Sequence, residues 1–435
     1  MAKIFPFRAY RYDPARVELS KVVTQPYDKI TPAMQGRYYD ASPYNLVRVI
    51  LGRKAAEDGE NNNVYTRAAQ DFSEWRRQGV LRQDSQASLY AYSQEFSAPA
   101  AAGGQRYERR GFIGLGQIED YSAGVVFRHE QTLSKPKADR LQLLRATRAH
   151  FGQLFMLYND PSGQLDVTLF PRREPEICVR DEYGVVHKLW QVSDPQVVQN
   201  IQRLMAAQKL VIADGHHRYE TALNYRDERR SAAGNLSSDA PYERVMMTFV
   251  NAHSPGLLIL PTHRLVFGLP DFEPGPMVAA SRYFYGVRDV SREFDPSRPT
   301  ALLLRTAPGE TAMLAVTARQ AFLFLANPGT RHSALDSVSP RQAELDVVRL
   351  HKVVLESVLN ISDEAIREQR NLEYLRDAQE AVQRVRSGGA NVAFLLNPVP
   401  IGQMTAIALA GEVMPQKSTD FYPKLLSGLT IYALD

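Results

Sequence analysis

Residues 209–230 read KLVIADGHHRYETALNYRDERR. The apolar run Leu210–Ala213 has the length and composition of a buried strand, and the polar stretch from His216 onward that of a helix. An acidic, glycine-bearing turn, Asp214–Gly215, joins them. A strand passing directly into a helix is one unit of an alternating fold. The turn also poses a charge problem. A helix N-terminus carries about half a positive charge from its unpaired N–H groups, so a cation in the first turn costs a few tenths to about 1 kcal/mol. Here His216, His217 and Arg218 occupy it. An anion held by these side chains and by the free N–H groups would turn that liability into a phosphate cradle. Gly215 would let the backbone approach such a ligand, and Asp214 could hold a histidine tautomer, a magnesium ion or a substrate hydroxyl. The plainer reading has Asp214 capping the helix and the histidines in solvent. Zinc fits less well, because adjacent helical residues point about 100° apart.

Outward from this unit the pattern keeps alternating. KVVTQPYDKITP predicts a strand, a Pro-Tyr-Asp turn and a helix from Thr31–Pro32, with threonine as cap and proline at the first position. SPYNLVRVIL predicts a strand, and residues 64–79 predict a helix with Ala68, Phe72 and Trp75 on one face and Gly79 as its stop. SLYAYSQEF and RYERRGFIGLGQIE predict a hairpin across the loop SAPAAAGGQ. Then come a strand ending near Phe127, a polar loop, a helix capped by Asp139, a strand at 154–158, two strands within 165–192 and a helix at 195–207. The expected fold is mixed α/β. Pro and Gly concentrate in FGLPDFEPGP, which sets the expected boundary between residues 1–267 and a C-terminal α+β domain, 268–435. That second part offers strands TALLLR, TAMLAVTA, AFLFLA and NVAFLLNP, helices at 340–359, 373–387 and 401–411, and a polar tail.

Composition removes several function classes. Of 435 residues, 44% are hydrophobic, and 52 Lys and Arg against 48 Asp and Glu leave a net charge of +4 without a long basic block. Bulk nucleic-acid or membrane-surface binding is not expected. The single cysteine, Cys178, excludes an internal disulfide and a cysteine zinc cluster, and suits a reducing compartment. No signal-peptide pattern or apolar run of membrane-spanning length is present, so a cytoplasmic protein is expected.

Other groups are candidates for chemistry. In RHEQT, Glu130 could take a proton from a hydroxyl nucleophile, while His129 and, further on, Arg140 could contact phosphate or a carboxylate. Asp139 beside Arg140 reads as a helix cap. In PYDKI, Tyr27 could stack on a base and Asp28 could bind metal or an amino group. GEVMPQKS has the Gly411, Lys417 and Ser418 spacing of a P-loop, but Gln416 replaces its second glycine and Pro415 interrupts it. Lys417, Ser418 and Thr419 still make a donor-rich loop. GFIGLGQIE lies in a strand pattern without a following helix, so the dinucleotide fingerprint is absent.

GHHRYETA resembles the GCHRYEA stretch of sulfiredoxins and, more loosely, the GERRxRA box of ParB proteins; free-serine kinases of the same superfamily carry a similar DGHHR. Over nearly its full length the chain is similar to the bacterial domain-of-unknown-function family 1015, through TQPYDKIT, SPYNLVRV, RHEQTLSKPKADRLQLLRAT, VIADGHHRYETAL and GEVMPQKSTDFYPKLLSGL. The resemblance implies a ParB/sulfiredoxin-like nucleotide-binding core that takes ATP or ADP with Mg2+. His216 stands where sulfiredoxins have their catalytic cysteine, which removes thiol chemistry, and no basic DNA-reading helix supports a centromere protein.

The function expected from these readings is a nucleotide-dependent phosphotransferase acting on a small hydroxylated acceptor, with free serine the acceptor that the resemblance suggests. Gly215, His216, His217 and Arg218 would bind phosphate. Glu130, Asp214 and His217 would act in catalysis, Asp214 also toward metal. Asp28, His129, Arg140, Lys417 and Ser418 would bind the substrate. A nucleotide-binding switch or adaptor and a phosphatase acting on phosphoserine-like substrates are the alternatives. A homodimer is compatible with either.

Overall fold

The computed structural model describes residues 2–99, 103–131, 134–233, 237–306, 310–326 and 333–435, without the side chains of 134–136. Part of the alanine-glycine loop, residues 100–102, therefore lies outside the described residues. The fold is mixed α/β, built on two large sheets. The first has nine strands: β1 (Ile4–Phe5), β2 (Leu89–Ser97), β3 (Arg106–Gln117), β4 (Val126–Phe127), β5 (Leu154–Tyr158), β6 (Ile177–Arg180), β7 (Val186–Val192), β8 (Leu210–Asp214) and β9 (Arg244–Asn251). Their order is β4-β8-β5-β9-β3-β2-β7-β6, with β1 added to β3. Strands β2 and β3 form the expected hairpin.

Alternation of side chains across a strand decides what each face buries. From β8, Leu210 and Ile212 join Leu154, Met156, Val245 and Met247 on one face. There they meet Val198, Ile201 and Met205 of α1 (Pro195–Ala206) and Tyr219 and Ala222 of α2 (His216–Ala233). Val211 and Ala213 point to the opposite face, into a core shared with the second sheet. That sheet holds β10 (His263–Val266), β11 (Tyr285–Asp289), β12 (Ala312–Val316), β13 (Ala321–Ala326), β14 (Leu372–Leu375) and β15 (Val392–Leu396), in the order β11-β13-β12-β15-β10-β14. Val266, Met313, Phe324 and Phe394 enter the shared core. Leu265, Leu314, Leu323 and Leu395 face away, toward helix Ala378–Arg386.

β10 begins ahead of residue 268, and the last segment crosses back to the first sheet. Asp420–Tyr422 pairs with Leu258–Leu260, Tyr432–Ala433 pairs with Ala149–His150, and Ile431 bridges to Tyr10. The stretch expected to be a polar tail buries Met414, Phe421, Leu425, Leu426 and Leu429. Ser418, Thr419, Asp420 and Lys424 bond inward.

Several local expectations hold. The helix Pro32–Ala41 starts behind Thr31, whose hydroxyl accepts the Met34 N–H at 3.2 Å. The helix Val64–Arg77 buries Ala68, Phe72 and Trp75 and is followed by Gly79 at φ +71°. Others do not. Val47–Ile50 is a helical turn instead of a strand, and just ahead of it the side chain of buried Asn45 accepts the Val47 N–H at 2.9 Å. Asp139 sits inside helix Ser134–Thr147, not at its start, and accepts from the Tyr65 hydroxyl at 2.8 Å. Residues 164–169 are helical, Leu303–Arg305 is a 3-10 turn, and Leu372–Leu375 is a strand.

Candidate functional site

β8 lies between β4, to which it is parallel, and β5, to which it is antiparallel. Its pairing slips between Ile212 and Asp214, a bulge at the strand end. Bulges re-aim side chains, and here the slip precedes the acidic turn. Gly215 follows at φ +97°, and a Cβ there would lie 3.0 Å from both Arg218 Nη2 and Leu154 Cδ2. Gly215→Ala should therefore cost roughly 1–3 kcal/mol of backbone strain and push Arg218 aside. An unchanged urea midpoint in that variant would count against this account of the turn.

Helical geometry separates the two histidines. α2 buries His216, Tyr219, Ala222 and Tyr225, a stripe of spacing three, and a residue one step on points about 100° away. His216 accordingly packs edge-on against His129, ring centroids 4.6 Å apart, and its Nε2 accepts the His129 backbone N–H at 3.4 Å. The expected phosphate contact through His216 is not what this geometry offers: the ring is a neutral core group, its basicity pushed well down by burial. His217 lies on the outer side, half-buried, and burial and the nearby Lys417 ammonium lower its pKa. Arg218 folds back, donating to the Gln153 carbonyl and, at 2.9 Å, to Asp214 Oδ2.

Asp214 is the centre of a buried charge cluster. Its Oδ1 takes Lys424 Nζ at 3.0 Å. Lys424, its side chain 9% exposed, also reaches Asp420 at 3.2 Å. Lys29 lies 3.7 Å from Asp420, and Arg376 pairs with it too. Lys424, Arg218 and Lys29 hold Asp214 far below the usual carboxylate range against the opposing effect of burial. Four cations, Lys29, Arg218, Arg376 and Lys424, thus face three carboxylates, Asp214, Asp420 and the nearby Asp28. Burial first, and then the like charge of Lys424, lowers the pKa of Lys29 against the opposing charges of Asp420 and Asp28. The same arrangement bears on the expected metal. Both Asp214 oxygens already hold protein cations, and among the described residues no group of three or more His, Cys, Asp or Glu is placed to hold a metal ion. These residues do not make a resident magnesium site.

The RHEQT segment and the MPQKST loop meet across 280-odd residues of sequence. The Met414 N–H donates to the His129 carbonyl at 2.8 Å, and Ser418 N–H donates to Glu130 Oε1 at 3.2 Å. His129 is fully buried, with Nδ1 donating to the Ile212 carbonyl at 2.6 Å and Nε2 accepting from Thr419 at 2.8 Å. Burial pushes it down to about 4, so it is neutral. With both ring nitrogens engaged it clamps the loop and does not reach a substrate. Glu130 is half-buried, and burial raises its carboxyl to about 7 against the opposing Lys417 charge and Ser418 N–H. A carboxylate poised near neutrality suits a general base. Ser418 is buried and its hydroxyl donates to the Pro415 carbonyl at 2.5 Å, so it serves the loop, whereas Lys417, at φ +58°, is exposed.

Asp28 is exposed in the turn Tyr27–Lys29, close enough to influence His217. Arg140 turns to the other side, stacking 4.2 Å above the Tyr27 ring and donating to the Ile50 carbonyl at 2.7 Å. Tyr27, Arg140, Gly152 and Arg218 line a cavity of 70 Å³, well under the roughly 300–1,000 Å³ of ordinary ligand pockets. One face of the Tyr27 ring is already covered by Arg140. The residues that join are thus Asp28, Glu130, Asp214, Gly215, His217, Arg218 and Lys417. Sequence reading passed over Lys29, Lys424 and Asp420, although PYDKI and DFYPK contain them. Arg109, fully buried, holds the backbone before Lys424 by donating to the Tyr422 and Pro423 carbonyls at 3.2 and 2.5 Å.

A family model described as a protein of unknown function, DUF1015, matches residues 4–348. No curated protein matches the chain. Among solved structures, a conserved hypothetical protein from Pyrococcus furiosus is 13% identical, with 71% of this chain and 92% of that one covered and a TM-score of 0.35. A free serine kinase in complex with AMP is 14% identical, over 68% and 83% of the two chains, at a TM-score of 0.34. SbnI with a C-terminal truncation, from Staphylococcus aureus, is 11% identical over 74% and 87%, at 0.36. Among the described residues, no helix is long and apolar enough to cross a membrane.

Proposed function

We propose, from the premise that this chain belongs to the DUF1015 family, that it is a nucleotide-dependent phosphotransferase acting on a small hydroxylated acceptor. The observation that carries this reading is the surplus of positive charge at the strand–turn–helix start, where Lys29, Arg218, Arg376 and Lys424 outnumber Asp28, Asp214 and Asp420. An anion beside Gly215 would offset it, and the first N–H groups of α2 add donors of the same sign. The resemblance of DGHHR to the motif of free-serine kinases supports ATP or ADP as donor and serine as acceptor.

In this reading His217, Lys417 and the helix start neutralise the phosphoryl oxygens, with Lys29 and Lys424 behind them. Glu130 takes the proton of the acceptor hydroxyl as its oxygen attacks the terminal phosphorus, and the bond from phosphorus to the nucleotide's bridging oxygen breaks. Asp214 holds Arg218 and Lys424 in place. Magnesium, where it takes part, comes with the phosphates, and no step here runs through it.

Thermal-shift titration with ATP, ADP, CTP and phosphoserine on wild type and His217→Ala tests the placement, and labelled nucleotide with a panel of amino acids tests the reaction. Phosphate ligands should stabilise the wild type and lose most of that effect in the variant. Equal stabilisation of both proteins would move the site elsewhere. Binding without product favours a nucleotide switch, and phosphate release from phosphoserine without nucleotide favours a phosphatase. His217 is neutral at pH 7 because its pKa is lowered, and an arriving anion favours its protonated form. Nucleotide binding should therefore take up a proton and tighten as pH falls from 8 to 6. Calorimetry in two buffers of different ionisation enthalpy reads that uptake directly, and none would contradict the role of His217.

A further inference from the structure

Away from the turn, a second cavity of 330 Å³ opens in the C-terminal half. Arg264 forms part of its wall and is 1% exposed. Its guanidinium donates to the Thr262 carbonyl, to the Lys417 carbonyl at 3.2 Å and to His351 Nε2 at 3.3 Å, and lies 5.1 Å from the Tyr374 ring centroid. Every one of these partners is neutral: burial keeps His351 uncharged, and among the described residues no carboxylate is ion-paired with Arg264. Burial pushes Arg264 itself down to about 10. The Glu130 carboxylate acts on it from a distance, without a direct ion pair; a buried charge with no paired carboxylate is costly, and five donors on a guanidinium leave N–H groups beyond the three bonds described. Leu345, Val347, Leu396 and Val399 line the same cavity, and its acidic lining is Glu310, Glu344 and Asp346. Burial raises Asp346 to about 7, against the Ala312 N–H, the Arg349 charge and the Thr311 hydroxyl.

We propose that this cavity is a binding site for a small zwitterion, with its carboxylate on Arg264, its ammonium on Asp346 and a short apolar body between them. The size lies within the range of ordinary ligand pockets. The guanidinium and the carboxyl complement the two charges of such a molecule, and each charge of the ligand lowers a desolvation cost that the protein's own contacts only partly offset. The site takes a different ligand from the phosphate site, although Ser418 forms part of its wall. The two are nevertheless linked through one loop, since Arg264 holds the Lys417 carbonyl while the next residue's N–H holds Glu130. A ligand that recruits Arg264 bears on the position of Lys417.

Isothermal titration of the full chain with the twenty amino acids, β-alanine and γ-aminobutyrate tests the proposal, with propionate and ethylamine as half-molecules. At least one zwitterion should bind, and neither half-molecule should bind at the same concentration. Asp346→Asn should weaken that binding tenfold or more, and Gln403→Trp, which fills the cavity without removing a charge, should abolish it. Circular dichroism melts of both unliganded variants establish that they fold; if either does not, Asn397→Trp on the same wall takes its place. Binding by no member of the panel, binding undiminished in the folded variants, or binding of a half-molecule as tight as the zwitterion would each overturn the assignment.

Discussion

Glu130→Gln is expected to slow phosphoryl transfer by about 10²- to 10⁴-fold, the usual contribution of a positioned general base, while nucleotide affinity changes little. Glutamine keeps the size of the side chain and can still accept the Ser418 N–H that holds the loop, so only proton uptake is lost. Because burial raises Glu130 to about 7, the wild-type rate should climb as pH passes through 7, and the variant should lose that limb of the profile. Stability runs the other way. A carboxyl whose pKa is higher in the folded chain than in the unfolded one binds more protons when folded, so its contribution is fully present below the unfolded value and is lost as pH rises through about 7. Glu130→Gln should flatten that decline. Single-turnover rates with labelled nucleotide across pH 5.5–8.5 measure the first effect, and urea midpoints over the same range the second. A variant that transfers phosphate at the wild-type rate would remove Glu130 from the mechanism.

The largest effect on stability is expected from Lys424→Met. Removing one partner of a buried ion pair typically costs about 3–5 kcal/mol, because the remaining charge stays buried. Here two carboxylates lose a cation at once, Asp214 at 3.0 Å and Asp420 at 3.2 Å. Arg218 and Arg376 remain on their second oxygens, which keeps the estimate within that range. Both acids have pKa values lowered in the folded chain. Their contribution is therefore present above the unfolded carboxylate value and lost as pH falls through the folded one. Without Lys424 the folded values rise, so acid unfolding should begin at higher pH. Lys424→Met, Asp420→Asn and the double variant form a cycle whose coupling energy isolates the pair. Urea unfolding that places Lys424→Met within 1 kcal/mol of wild type would show that the cluster does not depend on this lysine.

The strand–turn–helix was legible because each feature is local. Four apolar residues, a glycine that must take positive φ and a polar helical run lie within twenty residues. The error in that stretch was one of phase. His216, Tyr219, Ala222 and Tyr225 recur every third residue, which already marks His216 as inward and His217 as outward, but three adjacent nitrogenous side chains drew the reading toward a single cluster. Val47–Ile50 misled for another reason. Its β-branched residues favour a strand, whereas the bond that holds the turn, from the Val47 N–H to the Asn45 side chain, depends on a burial of Asn45 that is set by tertiary packing. The tail's composition of Lys, Ser, Thr and Asp suggests a solvated segment. Thr419 and Asp420 instead satisfy His129, Lys29, Lys424 and Arg376. Asp214 and Lys424 stand 210 residues apart, a distance over which no periodicity carries information.

That separation has a meaning in time as well as space. Synthesis proceeds at roughly 5–20 residues per second, so a growing chain carries the Asp214 turn for about 10 to 40 seconds before the lysine that neutralises it has been made. For that interval the first sheet can assemble its strands, but not the charge arrangement at their end. The charge arrangement around Asp214 is thus assembled well after the turn that carries it has been made.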